Sequence, residues 1–398
     1  MLYVLLALGV LGVLTSSGFA AIVLWAVPGY HRERKQALAE LEVHPGFTRP
    51  LSLLKPLHGA EPSLEEDLES FFLQDYPAYE ILFCARLSSD AGLEIARRVA
   101  ARYPHITSRF LSTNGNPDYI NAKVASMEVM EAAAAYDILV ISDSDVRVTP
   151  DYLRSIALPF ADPRVGGLTC PYRGVAVAHG DSRAGLWARL EAVGMSVEMT
   201  SGVLAARLME GMQFVLGPTM AFRRETIRRM GGFKVTADYC ADDFVLGNET
   251  FKLGDTVILS HHAIDHMVIN SSFIDSIKHQ VRWMKSTRFS RPAGHFATSL
   301  SFSMPYGLLA LAAALALGHP YWAFALFGWG LATRVALAIA VGRAVVHDKS
   351  WFALLVLYPI RDLMGFFFWM ASYWGNRILW RGRVFELLPG GKMRTADR

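Results

Sequence analysis

The chain is poor in cysteine and in charge. Its three cysteines, Cys84, Cys170 and Cys240, lie far apart among 398 residues and match no zinc-ligand spacing. That pattern leaves them as free thiols of a reducing compartment. Charged residues make up 19% of the chain and the net charge is +3. The basic residues cluster beside apolar segments and form no stripe along which nucleic acid could lie, which excludes nucleic acid as a partner and favours membrane surfaces and anionic phosphates. The first apolar run also lacks a basic start and a persuasive cleavage site, so it does not resemble a secretory signal.

What is abundant is apolar sequence. Hydrophobic residues reach 52%, more than a soluble globular chain usually carries, so part of the protein belongs in a bilayer. Leu2 to Val27 is uncharged and long enough to cross about 30 Å of hydrocarbon. Residues 1–30 therefore form a retained anchor. His31-Arg-Glu-Arg-Lys35 follows directly, and basic residues flanking a span favour the cytoplasmic side. The amino terminus would face out, and the chain after Tyr30 would begin inside.

Residues 45–265 alternate between β and α patterns. Strands are expected at Leu51–Leu57, Ile81–Leu87, Ile106–Leu111 and up to Asp143, with helices from a capping box at Ser63-Leu-Glu-Glu66, from Ala91 to Arg102 and from Ala122 to Ala135. Thr149-Pro150-Asp151 reads as a cap with proline at the first helical position. This alternation predicts an α/β domain with a mostly parallel sheet covered on both faces.

The organising stretch is Asp137-Ile-Leu-Val-Ile-Ser-Asp-Ser-Asp145. An apolar, β-branched run ending in two carboxylates at i, i+2 is the pattern of a buried parallel strand opening into a site at its C-terminal end. Two such carboxylates suit a hard divalent cation that keeps substrate phosphates in its shell. In isolation the pattern also fits a solvated Asp/Ser turn. Asp90 sits where a nucleotide base or ribose would lie, and equally where a helix needs a cap. Lys123, just inside a helix that follows a turn-rich segment, suits a phosphate at that helix terminus or plain solvent. Asp242 and Asp243 open the helical pattern running to Lys252; they suit the helix dipole, or a base that deprotonates an attacking hydroxyl.

Residues 270–295 form an amphipathic interfacial helix carrying His279-Gln-Val-Arg-Trp283. Arg282 could clamp a diphosphate and Trp283 offer a stacking face, or both could sit among lipid headgroups. Residues 300–376 contain three apolar stretches, Phe302–Leu317, Tyr321–Val341 and Trp351–Trp374. Arg361 and Asp362 fall inside the third, just after Pro359, so that stretch is expected to be broken or re-entrant. Residues 377–398 form a basic tail, which favours the cytoplasm. Four full spans would put that tail on the outer side, so one C-terminal stretch should fail to cross.

In this order and spacing, Leu54-Lys-Pro-Leu57 with Gly59, Phe71-Phe-Leu-Gln-Asp-Tyr-Pro77, Asp90, Asn121-Ala-Lys123, Asp143-Ser-Asp145, Ala241-Asp-Asp243 and Gln280-Val-Arg-Trp283 resemble the ceramide glucosyltransferase-like glycosyltransferases, family 21. The resemblance covers nearly the whole chain. It implies a GT-A, Rossmann-like catalytic domain flanked by N- and C-terminal transmembrane helices, and inverting transfer of glucose or N-acetylglucosamine from a UDP-sugar to a lipid hydroxyl. It further implies Mg²⁺ or Mn²⁺ held by Asp143 and Asp145, and Asp243 as catalytic base. Lys55, Asp90, Lys123, Asp143, Asp242, Arg282 and Trp283 would contact the nucleotide sugar. His279 departs from the Gln or Arg usual at the first position of the last motif. The stretch Val281 to Pro292 is most similar to a bacterial branch associated with hopanoid biosynthesis, which points to a hopanoid polyol acceptor, with ceramide as the alternative. The expected location is the cytoplasmic (inner) membrane, multi-pass, with the catalytic domain inside. A processive polysaccharide synthase would need more spans, and a polyprenyl-phosphate transferase an additional basic pocket. The intact acids argue against an inactive scaffold.

Overall fold

A computed structural model describes residues 1–44, 46–178, 185–269, 272–380 and 382–396. The domain starts expected at 45 and 270 and the last two residues of the tail lie outside the described residues. The chain forms two compact units: Arg32–Tyr172 with Glu210–Met267, and Met1–His31 with Arg173–Met209 and Val268–Arg398. Residues 173–209 thus group with the apolar C-terminal region, although they fall inside the stretch the sequence assigns to one continuous domain.

The first unit is built on a seven-stranded sheet. Its strands are β1 (Leu51–Pro56), β2 (Tyr79–Ala85), β3 (Thr107–Ser112), β4 (Ile138–Ser142), β5 (Val165–Thr169), β6 (Thr219–Arg223) and β7 (Thr256–Leu259), ordered β3-β2-β1-β4-β6-β5-β7. β1 pairs in parallel with β2 and β4, β2 with β3, and β5 with β7; β6 runs antiparallel between β4 and β5. Every residue of β4 is buried, as an interior strand covered on both faces requires, and this explains why Ile-Leu-Val-Ile shows no alternation. This is the GT-A architecture: a mostly parallel, Rossmann-like half sheet extended by an antiparallel strand. Because β6 runs against β4, Ser142 faces Thr219, so the loop before Thr219 shares the sheet edge from which Asp143 emerges.

Two local expectations are corrected. Ser63 precedes the helix Leu64–Ser70 but its hydroxyl makes no cap hydrogen bond; Asp67 draws it instead. Pro150 does not occupy the first helical turn, because the helix begins at Tyr152 with Asp151 before it. The Asp151 carboxylate is taken up by the Thr149 hydroxyl and by His262.

Among the described residues, three helices are long and apolar enough to cross a membrane: Leu2–Val43, of which residues 2–31 belong to the second unit, and Pro320–Arg343 and Ala353–Ser372 within that unit. The apolar helix Met304–Ala316 has 13 residues and spans only about 20 Å at 1.5 Å per residue, short of the hydrocarbon thickness. The stretch too short to cross is therefore the first C-terminal one. The third, expected to break at its charges, is a 20-residue helix. Asp362 is satisfied within the second unit, and Arg361 is engaged in part, by Gln280 and Glu198. Arg334 Nη1 donates to Asp362 Oδ1 at 2.9 Å, and Asp362 Oδ2 accepts the backbone N–H groups of Ser303 and Met304. The carboxylate thus caps the short helix while neutralising the neighbouring span. Gly12 permits close approach of the N-terminal helix, since a Cβ there would collide with the Tyr306 ring.

The tail also departs from expectation. Arg377–Trp380, Arg383–Leu387 and Met393–Thr395 form an antiparallel three-stranded sheet that buries Ile378, Phe385, Leu387 and Met393. Its basic residues occupy the outward positions.

Asp362→Ala leaves Arg334 buried without a counter-charge and should cost about 3–5 kcal/mol of stability. Thermal unfolding in detergent should show a clear drop, smaller for Asp362→Asn; an unchanged midpoint would show the pair to be dispensable.

Candidate active site

Four segments of the sheet unit meet at the C-terminal end of β4. The turn after β4 carries Asp143 and Asp145. The helix Ala122–Ala133 starts with Asn121 as its cap, accepting from the Lys123 N–H. Asn121 is buried, and it donates its side chain to Tyr239 O at 3.1 Å and its backbone N–H to Ala237 O at 2.9 Å. These bonds hold the segment that leads into the helix Asp242–Lys252. The fourth segment is the loop at Gly217-Pro218, whose Pro218 carbonyl accepts from the Asp143 N–H.

Lys123 is the centre of this arrangement. Its ammonium lies 2.7 Å from Asp143 Oδ1 and 3.7 Å from Asp242 Oδ2. Burial alone would lower its pKa, but Asp143, Asp242 and Asp243 outweigh burial and raise it. Lys123 is therefore charged across the physiological range. Asp243 is held from two sides, accepting the Gly217 N–H on Oδ2 and the Phe244 N–H on Oδ1, both at 2.8 Å. Burial, then the adjacent Asp242 charge, pushes its carboxyl up to about 6, against the pull of those two N–H groups and Lys123. A carboxylate with a pKa near working pH is suited to accept a proton.

Asp145 faces a residue that the sequence alone does not single out. Its Oδ2 lies 3.3 Å from His266 Nε2. The strand Ile264–Val268 pairs with Val146–Arg147, placing His266 opposite Val146, next to Asp145. Burial would raise the Asp145 pKa, but His266 and Lys55 more than reverse this. Glu61, also unforeseen, bonds Ser144; burial and then the Asp145 charge push its carboxyl up to about 7. The sequence signal for His266 is only a polar position in a short strand whose pairing is not local.

Two expected contact residues are engaged elsewhere. Lys55 is fully buried, donates to Asp143 O and sits 3.9 Å from the centre of the Phe71 ring. Burial lowers its pKa to about 7 despite Asp143 and Asp145. Lys55 braces the turn from beneath. Asp90 caps the helix Ala91–Ala101 through the Gly92 N–H at 2.8 Å and also accepts from the Gly59 N–H. It lines a cavity of about 420 Å³ with Ala60, Ser88, Ser89 and Glu94, so capping and ligand contact can coexist there. Arg282 and Trp283 lie on the helix Phe273–Ser290, in the other compact unit. On that helix His279 Nδ1 meets Glu191 Oε1 at 2.6 Å with its ring 4.4 Å from Trp283, and Gln280 accepts from Arg361.

The acids fit a divalent ion shared with a ligand. Asp145 Oδ1 is buried with no hydrogen-bond partner among the described residues, and a Cβ at Gly217 would stand 3.2 Å from Asp243 Oδ2 and 3.9 Å from Asp143 Oδ2. Space beside these oxygens depends on that glycine. Among the described residues no three His, Cys, Asp or Glu side chains converge as a metal cluster. Protein donors alone are too few for a complete shell, as expected where substrate phosphates supply the rest.

A mostly parallel sheet with an Asp-x-Asp pair at its edge, and with Lys123 and Asp243 beside that pair, is the arrangement of a GT-A glycosyltransferase. The chain belongs to glycosyl transferase family 21, whose family pattern matches residues 10–393. Ceramide glucosyltransferase 1 of Caenorhabditis elegans is 23% identical over 360 residues, 89% of this chain and 75% of that one. Ceramide glucosyltransferase of Komagataella phaffii is 38% identical over 101 residues, 25% of this chain and 20% of that one. Among solved structures, a mannosyltransferase from Pyrobaculum calidifontis in complex with GDP-Man and Mn²⁺ has a TM-score of 0.49 at 20% identity, covering 91% of this chain and 97% of that one.

The raised Asp243 pKa has a consequence for stability. Between the ordinary carboxyl value near 4 and about 6, the folded protein holds a proton that the unfolded chain has released, so stability falls as pH rises through this window. Asp243→Asn should gain on the wild type by about 2–3 kcal/mol between pH 4 and pH 7. Denaturation at the two pH values checks this; a pH-independent difference would place the Asp243 pKa at its ordinary value.

Proposed function

We propose that this glycosyltransferase moves glucose or N-acetylglucosamine from a UDP-sugar to the hydroxyl of a membrane lipid, with inversion at the anomeric carbon. The observation that carries this reading is the gathering of Asp143, Asp242 and Asp243 around Lys123 at the sheet edge. Asp243 takes the proton from the lipid hydroxyl as that oxygen attacks the anomeric carbon from the face opposite the departing UDP. Burial and then Asp242 keep the Asp243 pKa high, and the Gly217 and Phe244 N–H groups fix the direction of its carboxylate. Lys123 holds the diphosphate, and on this reading Asp90 contributes to the nucleoside pocket, Lys55 positions the Asp143 turn, and Arg282 with Trp283 contacts the nucleotide. Asp143 and Asp145 are the residues that would hold Mg²⁺ or Mn²⁺, which supplies charge stabilisation for the leaving diphosphate.

The acceptor is a hydroxylated lipid. The stretch Val281 to Pro292 favours a hopanoid polyol, while the curated relatives are ceramide glucosyltransferases, which favours ceramide. Three crossings with the amino terminus outside would leave the carboxyl-terminal sheet in the cytoplasm, where its Arg and Lys content belongs. The catalytic domain would lie on the same side, at the inner membrane.

Purified protein supplied with UDP-glucose or UDP-GlcNAc, Mg²⁺ or Mn²⁺, and either bacteriohopanetetrol or ceramide should release UDP with one pairing. In the active pairing, kcat/KM should fall tenfold per pH unit below about 6, and Asp243→Asn should lose at least about a thousandfold in kcat while still binding UDP. Loss of UDP binding in a folded variant would reassign Asp243 from base to ligand contact. Asp145→Ala should abolish the stimulation by divalent ions; a variant that retained it would remove the cation from this site.

A further inference from the structure

The helix Phe273–Ser290 carries Trp283, and a residue outside that helix governs what lies against the indole. Ser276, His279 and Trp283 follow at i, i+3 and i+7, so they share one helix face. The helix Leu186–Val193 packs along this face. Its Trp187 meets Phe273 with ring centres 4.4 Å apart, and one turn further on Glu191 meets Ser276 and His279. Glu191 Oε1 lies 2.6 Å from His279 Nδ1, and Ser276 Oγ donates to Oε2 at 2.8 Å. Both carboxylate oxygens are engaged, on a side chain with no exposed surface.

An ionised carboxylate only accepts hydrogen bonds, so His279 carries a hydrogen on Nδ1 and donates it to Glu191. That bond fixes the tautomer and the plane of the imidazole ring. The ring packs in turn on Trp283, with centres 4.4 Å apart and planes tilted by 52°. An indole turns about two side-chain bonds, and a neighbouring ring that cannot turn removes part of that freedom.

Joining the two helices does not require this arrangement. Trp187 and Phe273 already join them. Gln280, the residue after His279, is buried and accepts from Arg361 at 2.8 Å, which anchors the same turn to the last candidate span. A buried carboxylate carries a desolvation cost that an apolar side chain at 191 would avoid. What the carboxylate adds is direction, because it holds a ring that an apolar contact would leave free to flip.

We propose that Glu191 is a positioning residue for nucleotide binding: it pins His279, and the pinned imidazole holds the Trp283 ring in the orientation that receives the nucleotide. This rests on the reading above in which Trp283 contacts the nucleotide, and it adds to that reading a residue that touches no substrate.

The test measures the Kd of UDP for the full-length chain in detergent-lipid micelles with Mg²⁺, so it does not depend on the acceptor. Glu191→Leu, which keeps bulk but offers no acceptor, should weaken UDP binding about tenfold, the scale of an oriented aromatic contact. Glu191→Gln, which still accepts from Nδ1 and donates to Ser276, should stay within about twofold of the wild type. Trp283→Ala should weaken binding at least as much as Glu191→Leu, and the two together should do no more than Trp283→Ala alone. His279→Leu, the second route to the same loss, should match Glu191→Leu; unfolding midpoints identify the folded variants. If Trp283→Ala weakens binding while folded Glu191→Leu or His279→Leu binds as the wild type does, the inference is overturned and Glu191 is a tie between helices. Full additivity of Glu191→Leu with Trp283→Ala overturns it too, because Glu191 would then act by a route other than the indole. Where Trp283→Ala itself leaves UDP binding unchanged, the nucleotide reading of Trp283 fails and takes this inference with it.

Discussion

One ammonium group allows the acids of the sheet edge to coexist. Asp143, Asp242 and Asp243 come from positions about a hundred residues apart, and without a cation between them their mutual repulsion would open the site. Lys123 supplies that cation from the first turn of a helix, at 2.7 Å from Asp143. Its own position is fixed by Asn121, which caps that helix with one side-chain atom and holds Tyr239 with another. A single short segment therefore sets both this charge and the approach of the Asp242-Asp243 helix. At Asp243 burial, and then the Asp242 charge, outweigh this compensation and hold its carboxyl up at about 6.

The sheet edge has a supporting layer that is chemically separate. Lys55 works from below, fully buried against Phe71 and bonded to the Asp143 carbonyl. A lysine whose pKa falls to about 7 is a poor permanent counter-ion, so its contribution is positional. His266 and Glu61 complete this layer around Asp145 and Ser144. Lysines at 55 and 123 thus divide the work: one shapes the turn and the other carries charge.

Much of this was legible in the sequence because it is local. The β-branched run at 138–142, the helix from 122 and the acids at 242–243 each announce themselves by period or composition, and the structure puts the ends of the strands within about two residues of the expected places. What was not legible depends on pairing at a distance. His266 reaches Asp145 only because Ile264–Val268 pairs with Val146–Arg147. The grouping of 173–209 with the C-terminal helices has no periodic signal. The tail hides its strands because each is only three to five residues long. Counting charges misplaced the interrupted stretch, since Arg361 and Asp362 each find partners on other elements and the helix that contains them runs on.

That last correction bears on how charge is tolerated at bilayer depth. Asp362 is fully engaged, with Arg334 on one oxygen and two backbone N–H groups on the other. Arg361, its immediate neighbour, faces another side and is only partly engaged. Two adjacent polar residues in one helix thus differ: one closes a structural joint and the other is engaged through a single nitrogen. The difference between the two neighbours follows from what lies against each: two N–H groups at the start of the short helix complete the shell of Asp362, whereas Gly194 and the Phe368 ring pack on Arg361 without offering it an acceptor.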